Sequence, residues 1–168
     1  MPMTVDKAQV TLPSDREVKV TRSFKATRPL VYRAYTDPTL VQRWLLGPPG
    51  WSMPVCEMDV RVGGRYRWRW RSDKDGSEFG FAGTFREVQP PSRLVHTQTY
   101  DPGTVGDSHP QNEALVTVTF AEDGGFTAVT TLIDFGSKEA RDAAVATGMT
   151  GGVEQSYQLL HAVLSKRV

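Results

Sequence analysis

Seven consecutive residues, Arg65 to Arg71, alternate without a fault between Arg and a large aromatic ring: Arg-Tyr-Arg-Trp-Arg-Trp-Arg. An extended strand sends successive side chains to opposite sides. It therefore gathers Tyr66, Trp68 and Trp70 on one face and Arg65, Arg67, Arg69 and Arg71 on the other. A helix would mix the two chemistries around its circumference. A strand also leaves its backbone polar groups unpaired unless other strands flank it, and an aromatic face of this size needs an apolar cover. The rest of the chain has to supply both.

It does. Residues 16–24 alternate, with Val18, Val20 and Arg22 on one side. A strand near 52–60 leads through the Gly63-Gly64 turn into the Arg/aromatic strand. Asp75-Gly76 is a hairpin signal, followed by a strand over 78–88 in which Phe79, Phe81, Gly83 and Phe85 alternate. Pro90-Pro91 interrupts, and 94–100 forms the next strand. Asp101 to Asn112 reads as a polar loop, and Asp123-Gly124-Gly125 joins strands at 114–120 and 126–135. Between the first two strands, Thr27 and Asp37 each precede a Pro-containing first turn, opening short helices at 28–36 and from Pro38 onward. Gly47-Pro48-Pro49-Gly50 ends the second of them. After Gly136 the apolar spacing lengthens to that of a helix, first over 138–147 with Gly148 as its stop, then over 150–166. That last segment carries the stripe Val153, Tyr157, Leu160 and Leu164. Short turns make the strands antiparallel. The chain is thus predicted to be α+β: a curved antiparallel sheet of about seven strands around a long C-terminal helix, with two short helices after the first strand. Residues 1–14 read as a flexible leader and 15–168 as one domain.

Composition narrows the partners. Among 168 residues the formal net charge is +1, so no bulk field draws the chain to nucleic acid or to an anionic membrane. The single cysteine, Cys56, excludes an intrachain disulfide and favours a reducing, cytoplasmic setting. No apolar run approaches the roughly 20 residues that span a bilayer. The spacing of His and Cys gives no metal site, and no phosphate loop, dinucleotide fingerprint or serine elbow is present. Accordingly, no cofactor is expected.

Short motifs in a fixed order carry a family likeness. They are Arg33-Ala34-Tyr35-Thr36-Asp37-Pro38, Arg43-Trp44-Leu45-Leu46-Gly47-Pro48, Gly50-Trp51, and the run from Cys56 to Tyr66. Further on come Gly83-Thr84-Phe85-Arg86-Glu87, Pro90-Pro91 with Arg93-Leu94, and Ala140-Arg141-Asp142-Ala143 leading to Thr147-Gly148-Met149. Over about residues 16–166 the chain resembles the START-like (SRPBCC) superfamily, in its heat-shock-protein-90 ATPase activator homologue-like (AHSA-type) branch. That resemblance implies the helix-grip fold, an internal cavity for a small hydrophobic ligand, a stress-response association, a homodimer and a chaperone contact. The chain departs from many relatives at two places. Leu45-Leu46 stand where a second Trp is common, and Gly152-Val153 replaces a Gly-Trp pair. Both exchanges remove an indole near the expected cavity.

The candidate ligand-binding residues follow. Tyr66, Trp68 and Trp70, extended by Phe81 and Phe85, form either an aromatic cavity wall or ordinary core. His96 and Gln98, with Tyr100 on the same strand face, are polar groups that either orient a ligand or satisfy one another. Val153, Tyr157 and Leu160 are expected across from the wall. Trp44 lies beside it, and Trp51 sits at the rim in the Gly-Pro-Pro-Gly loop. The arginine stripe, with Arg61, reads as a solvated outer face paired with Glu57, Asp59, Asp73, Asp75 and Glu78, and otherwise as an anion, nucleic-acid or dimer surface. Cys56 reads as a small buried hydrophobe. His109 is placed in a loop and His161 on the last helix.

The function that fits best is a carrier or sensor of a small hydrophobic, aromatic ligand, with no catalytic residue. The alternatives are a cyclase-, hydratase- or hydrolase-type enzyme using His96 or Glu57 as general acid/base, and a chaperone-associated interaction module.

Overall fold

The alternating segments pair into one sheet. The computed structural model describes residues 7–101, 113–146 and 149–166. In chain order the elements are β1 (Gln9–Thr11), β2 (Glu17–Phe24), α1 (Arg28–Thr36), α2 (Pro38–Trp44), β3 (Trp51–Met58), β4 (Arg65–Ser72) and β5 (Glu78–Gln89), then β6 (Arg93–Asp101), β7 (Ala114–Asp123), β8 (Phe126–Asp134), α3 (Lys138–Ala146) and α4 (Met149–Ser165). Eight strands lie in the order β1-β2-β8-β7-β6-β5-β4-β3, every pair antiparallel. The sheet is open, with β1 and β3 at its edges. This is the expected α+β helix-grip arrangement with one strand more.

The extra strand lies inside the segment read as a leader. Gln9, Val10 and Thr11 pair with Thr21, Val20 and Lys19 of β2. All three are exposed. Backbone pairing and the Ala8 amide, which donates to Glu154 Oε1 at 2.6 Å, hold the strand in place. The polar loop Asp101–Asn112, with His109, falls outside the described residues after Asp101, as does the Gly148 stop.

Both short helices begin where Pro was expected. At α2 the Asp37 carboxylate accepts from the Thr39 amide at 3.0 Å, the usual service of a capping aspartate. At α1 the Thr27 side chain makes no capping bond. Instead, Glu122 Oε1 on β7 accepts from the Arg28 amide at 2.7 Å, so a tertiary contact satisfies the helix start.

Helix α4 crosses one half of the concave face. Leu160 has no accessible surface and Tyr157 is 5% exposed. They pack with Val18, Val20 and Phe24 of β2, with Val129 and Ile133 of β8, and with Val31 and Trp44 of the short helices. The Tyr157 ring meets Phe24 edge-on at 5.5 Å and stacks on Trp44 at 6.4 Å. Polar fasteners fix the same side. Arg22, buried on the inner face of β2, holds Glu154 by two bonds of 3.1 Å, and Ser156 Oγ accepts from the Gly47 amide at 2.7 Å. Burial opposes ionisation of Glu154, but the Arg22 guanidinium and the Ala8 amide outweigh it and hold the carboxyl below its ordinary value.

Candidate functional site

The other half of the concave face is aromatic. In register, Trp70 lies opposite Phe79, Trp68 opposite Phe81, and Tyr66 opposite Gly83. On the far side of β5, Phe81 lies opposite Tyr100 and Phe85 opposite His96. The expected wall is thus continuous over β4, β5 and β6, and Cys56 and Met58 of β3 extend it. The lower part is closed. Trp70, 7% exposed, donates from Nε1 to the Leu45 carbonyl at 2.6 Å and stacks on Phe79 at 5.4 Å. Trp51 meets Phe79 edge-on at 5.2 Å, so it packs against this wall. Val41 and Met53 complete the cluster. Higher up, Trp68, Phe81, Gln98 and Tyr100 remain part-exposed.

Gly83 explains how the polar residues are set. A Cβ there would lie 2.8 Å from the Tyr66 ring and 2.0 Å from the Thr97 carbonyl oxygen. Lacking one, the strand lets Tyr66 lean across β5, and its hydroxyl donates to the Thr97 carbonyl on β6. The same hydroxyl lies 3.1 Å from His96 Nδ1, and the Thr97 carbonyl is also 3.1 Å from that nitrogen. His96 is 5% exposed and ringed by Tyr66, Phe85 and Trp68 at 4.9, 5.8 and 6.0 Å between centroids. Burial takes its pKa down to about 4, with the Thr97 carbonyl pulling weakly the other way, so the ring is neutral at neutral pH. Burial pushes the Tyr66 hydroxyl well up, and takes the Cys56 thiol up to about 11. Cys56 is therefore a thiol and no nucleophile near neutrality.

The charged groups sit on the opposite face. Arg69 pairs with Glu78 at 2.7 Å and Asp101 at 3.3 Å, and Glu57 lies opposite Arg67 in register. Asp59 pairs with Arg61 at 2.8 Å beyond the end of β3. A shallow outer groove of about 450 Å³ runs along Glu57, Arg65, Arg67, Thr84 and Thr99. A second concavity, of about 550 Å³, lies at the far end between Lys25, Leu30, His161 and Leu164. Among the described residues no group of His, Cys, Asp and Glu could hold a metal. No helix among them is long and apolar enough to cross a membrane.

The structure therefore divides the twelve sequence candidates. Trp51, Tyr66, Trp68, Trp70, Phe81, Phe85, His96 and Gln98 share one surface on β3–β6. Trp44, Tyr157 and Leu160 do not face it. Trp44 donates from Nε1 to the Ala34 carbonyl at 2.8 Å and, with Tyr157 and Leu160, fills the other cluster, against which Val153 also packs. An apolar stripe shows that α4 lies on the sheet, but not which half it covers. One residue of the wall and one of the sealed half escaped the sequence reading. Phe79 stood in the same alternation as Phe81. Buried Arg22 stood in the alternation of Val18 and Val20, but its partner lies 132 residues away.

Comparison with known proteins agrees with this architecture. Residues 25–165 match the family described as activator of Hsp90 ATPase homolog 1-like protein. No curated protein compared with the chain matches it. A crystal structure from Rhodobacter sphaeroides is 31% identical, with a TM-score of 0.85 over 96% of this chain and 99% of that one. The solution structure of an AHSA1-like protein from Aeromonas hydrophila is 27% identical, with a TM-score of 0.65 over 86% and 93%. A solution structure from Arthrobacter aurescens, 22% identical, shares the fold at a TM-score of 0.81 over 95% and 92%. From α1 through α4 the sequence carries the family's pattern, and the chain belongs to the activator of Hsp90 ATPase homolog 1-like family, in the AHSA-type branch of the START-like (SRPBCC) proteins.

Proposed function

We propose that the chain binds a small, mainly apolar aromatic molecule on the inner face of β4, β5 and β6, acting as a carrier or sensor. One observation carries the reading. Trp68, Phe81 and Tyr100 remain part-exposed on the concave face, while the same face of β2 and β8 is sealed by α4. Exposed aromatic area in a concave setting gains free energy when a flat apolar molecule covers it. The family's START-like fold supports the same conclusion.

The enzyme reading ranks lower. Glu57 is exposed on the outer face, beyond reach of anything bound inside, and His96 with a pKa of about 4 is a weak base at neutral pH. Chaperone association and a homodimer rest on the family alone. The test is a thermal-shift and native mass-spectrometry screen of the full chain against naphthalene, indole and biphenyl compounds beside aliphatic acids of equal size. Aromatic compounds are expected to raise the melting temperature and to appear as one-to-one complexes. No shift and no complex with any aromatic compound would remove the proposal.

A further inference from the structure

The polar groups of this face define what the ligand must carry. The Tyr66 hydroxyl spends its hydrogen on the Thr97 carbonyl. Toward His96 Nδ1, therefore, the Tyr66 oxygen and the Thr97 carbonyl both offer lone pairs, each at 3.1 Å. Two acceptors at one ring nitrogen require that nitrogen to hold the hydrogen. In a neutral ring the other nitrogen, Nε2, is then a bare acceptor. It makes no hydrogen bond among the described residues, though His96 is 5% exposed. The neighbouring ring differs. Trp68 Nε1 is a buried donor with no partner, and its ring centre lies 6.0 Å from that of His96. Trp68 Nε1, with no accessible surface, stays out of a ligand's reach, whereas His96 Nε2 is not one of the buried unpartnered atoms and is the acceptor left open to a ligand.

The rest of the surface is uncharged. The inner positions of the three strands hold Tyr66, Trp68, Trp70, the Phe side chains of β5, and His96, Gln98 and Tyr100. The arginines and their carboxylate partners face the other way. An anionic ligand would find no counter-charge here. An ether or ketone has no hydrogen to donate and leaves His96 unserved. A hydroxyl donates once and so serves His96 Nε2.

We infer that the ligand of this face is a neutral hydroxylated aromatic, its hydroxyl donating to His96 Nε2. His96 then determines specificity, and Tyr66, leaning over Gly83, is the positioning residue that sets the His96 tautomer. The inference rests on the binding reading above and adds to it the chemistry of the polar anchor.

Calorimetric titration of the full chain at neutral pH with naphthalene, methoxynaphthalene, naphthol and naphthoate separates the two. Naphthol is expected to bind at least about tenfold more tightly than methoxynaphthalene, because a site built around a hydroxyl rejects the analogue lacking its hydrogen. Naphthoate is expected to bind most weakly. In His96→Phe the ratio of naphthol to methoxynaphthalene affinity collapses toward one. In His96→Gln, whose amide oxygen can accept, part of the preference survives, and this variant also serves if His96→Phe fails to fold. Long-range proton–nitrogen NMR correlation of the free protein is expected to show the hydrogen on Nδ1, and added naphthol to shift Nε2. Equal affinity for naphthol and methoxynaphthalene overturns the hydroxyl inference while leaving the aromatic-binding reading intact. So does a hydrogen found on Nε2 of the free protein. If none of the four compounds binds, the binding reading itself falls.

Discussion

One sheet here has two concave halves built on different terms. Over β2, β8 and β7 the inner residues are mainly aliphatic, with Phe24, Phe120 and Arg22 among them, and Val18, Phe24 and Val129, like Leu160 of α4, have no accessible surface. Over β4, β5 and β6 they are mainly aromatic, with an imidazole among them; Tyr66, Trp70, Phe85 and His96 are buried, and Trp68, Phe79, Phe81 and Tyr100 remain part-exposed. Helix α4 accounts for the contrast. Its apolar stripe, the Arg22–Glu154 pair and the Ser156 bond all engage the first half or the α2 end. The first half thus carries stability through close packing, where each buried methylene counts. The second holds apolar surface in reserve, and surface not needed for folding can be used for binding.

If that division is right, the largest stability effect belongs to the sealed half. Leu160→Ala should cost about 3–5 kcal/mol, because a fully buried Leu leaves a cavity its neighbours cannot close. Urea denaturation reads it as a lower midpoint with an unchanged slope. A cost below about 1 kcal/mol would mean that α4 is not the clamp described. The next effect belongs to the aromatic half and depends on pH. His96 has its pKa lowered from 6.5 to about 4 by burial, so the folded state resists a proton that the unfolded chain accepts. Its contribution is complete above pH 6.5 and lost as pH falls toward 4, amounting to about 3 kcal/mol at 1.36 kcal/mol per pH interval. Denaturation curves of the wild type and His96→Gln across that range should converge or cross as the pH falls. Parallel curves would mean that His96 is not buried neutral.

The two halves were also unequally legible in the sequence. The aromatic half could be read because its information is local. The alternation of Arg65 to Arg71 and of Phe79 to Phe85 fixes which residues share a face, and hairpin turns fix their neighbours. The His96 face followed from the same periodicity. The sealed half depends on distant pairing. Nothing near Val153, Tyr157 or Leu160 says which strands they will meet, so they were expected across from the aromatic wall. Glu154, on the polar side of that stripe, lacked any local sign that it would complete Arg22. Strand β1 has three exposed residues and no burial pattern, so only its pairing with β2 reveals it. The open acceptor His96 Nε2 depends on rotamers and on the lean of Tyr66, and a periodic pattern carries neither.

The ion pair tests whether polar fasteners share in holding α4. Glu154→Gln leaves the Arg22 guanidinium, whose side chain is 7% exposed, without its counter-charge. Removing one partner of a fully buried pair costs about 3–5 kcal/mol. Glu154 is 24% exposed, so solvent moderates this and about 2 kcal/mol is expected. The carboxyl is held below its ordinary value of 4.5, so its contribution is present above that pH and lost as the pH falls below it. This window lies below most of the His96 window, and a pH series on the two variants distinguishes the halves. Equal stability of Glu154→Gln and wild type at neutral pH would show that packing alone seats the helix.

The smallest stability effect carries the most functional weight. Phe81 lies between Trp70 and Tyr100, with ring centroids 5.7 and 5.6 Å away, and is itself part-exposed. Removing its ring takes away area that folding has not fully withdrawn from water, so Phe81→Ala should cost only about 1 kcal/mol. A bound naphthalene would lose a stacking partner over the same area, and its affinity should fall about tenfold. Leu160→Ala, measured where it is still folded, should leave naphthalene affinity unchanged. The two variants are therefore expected to exchange their rank between the stability and the binding measurement. A cost at Phe81 as large as that at Leu160 would show that the aromatic half is core like the other, with no surface held for a ligand.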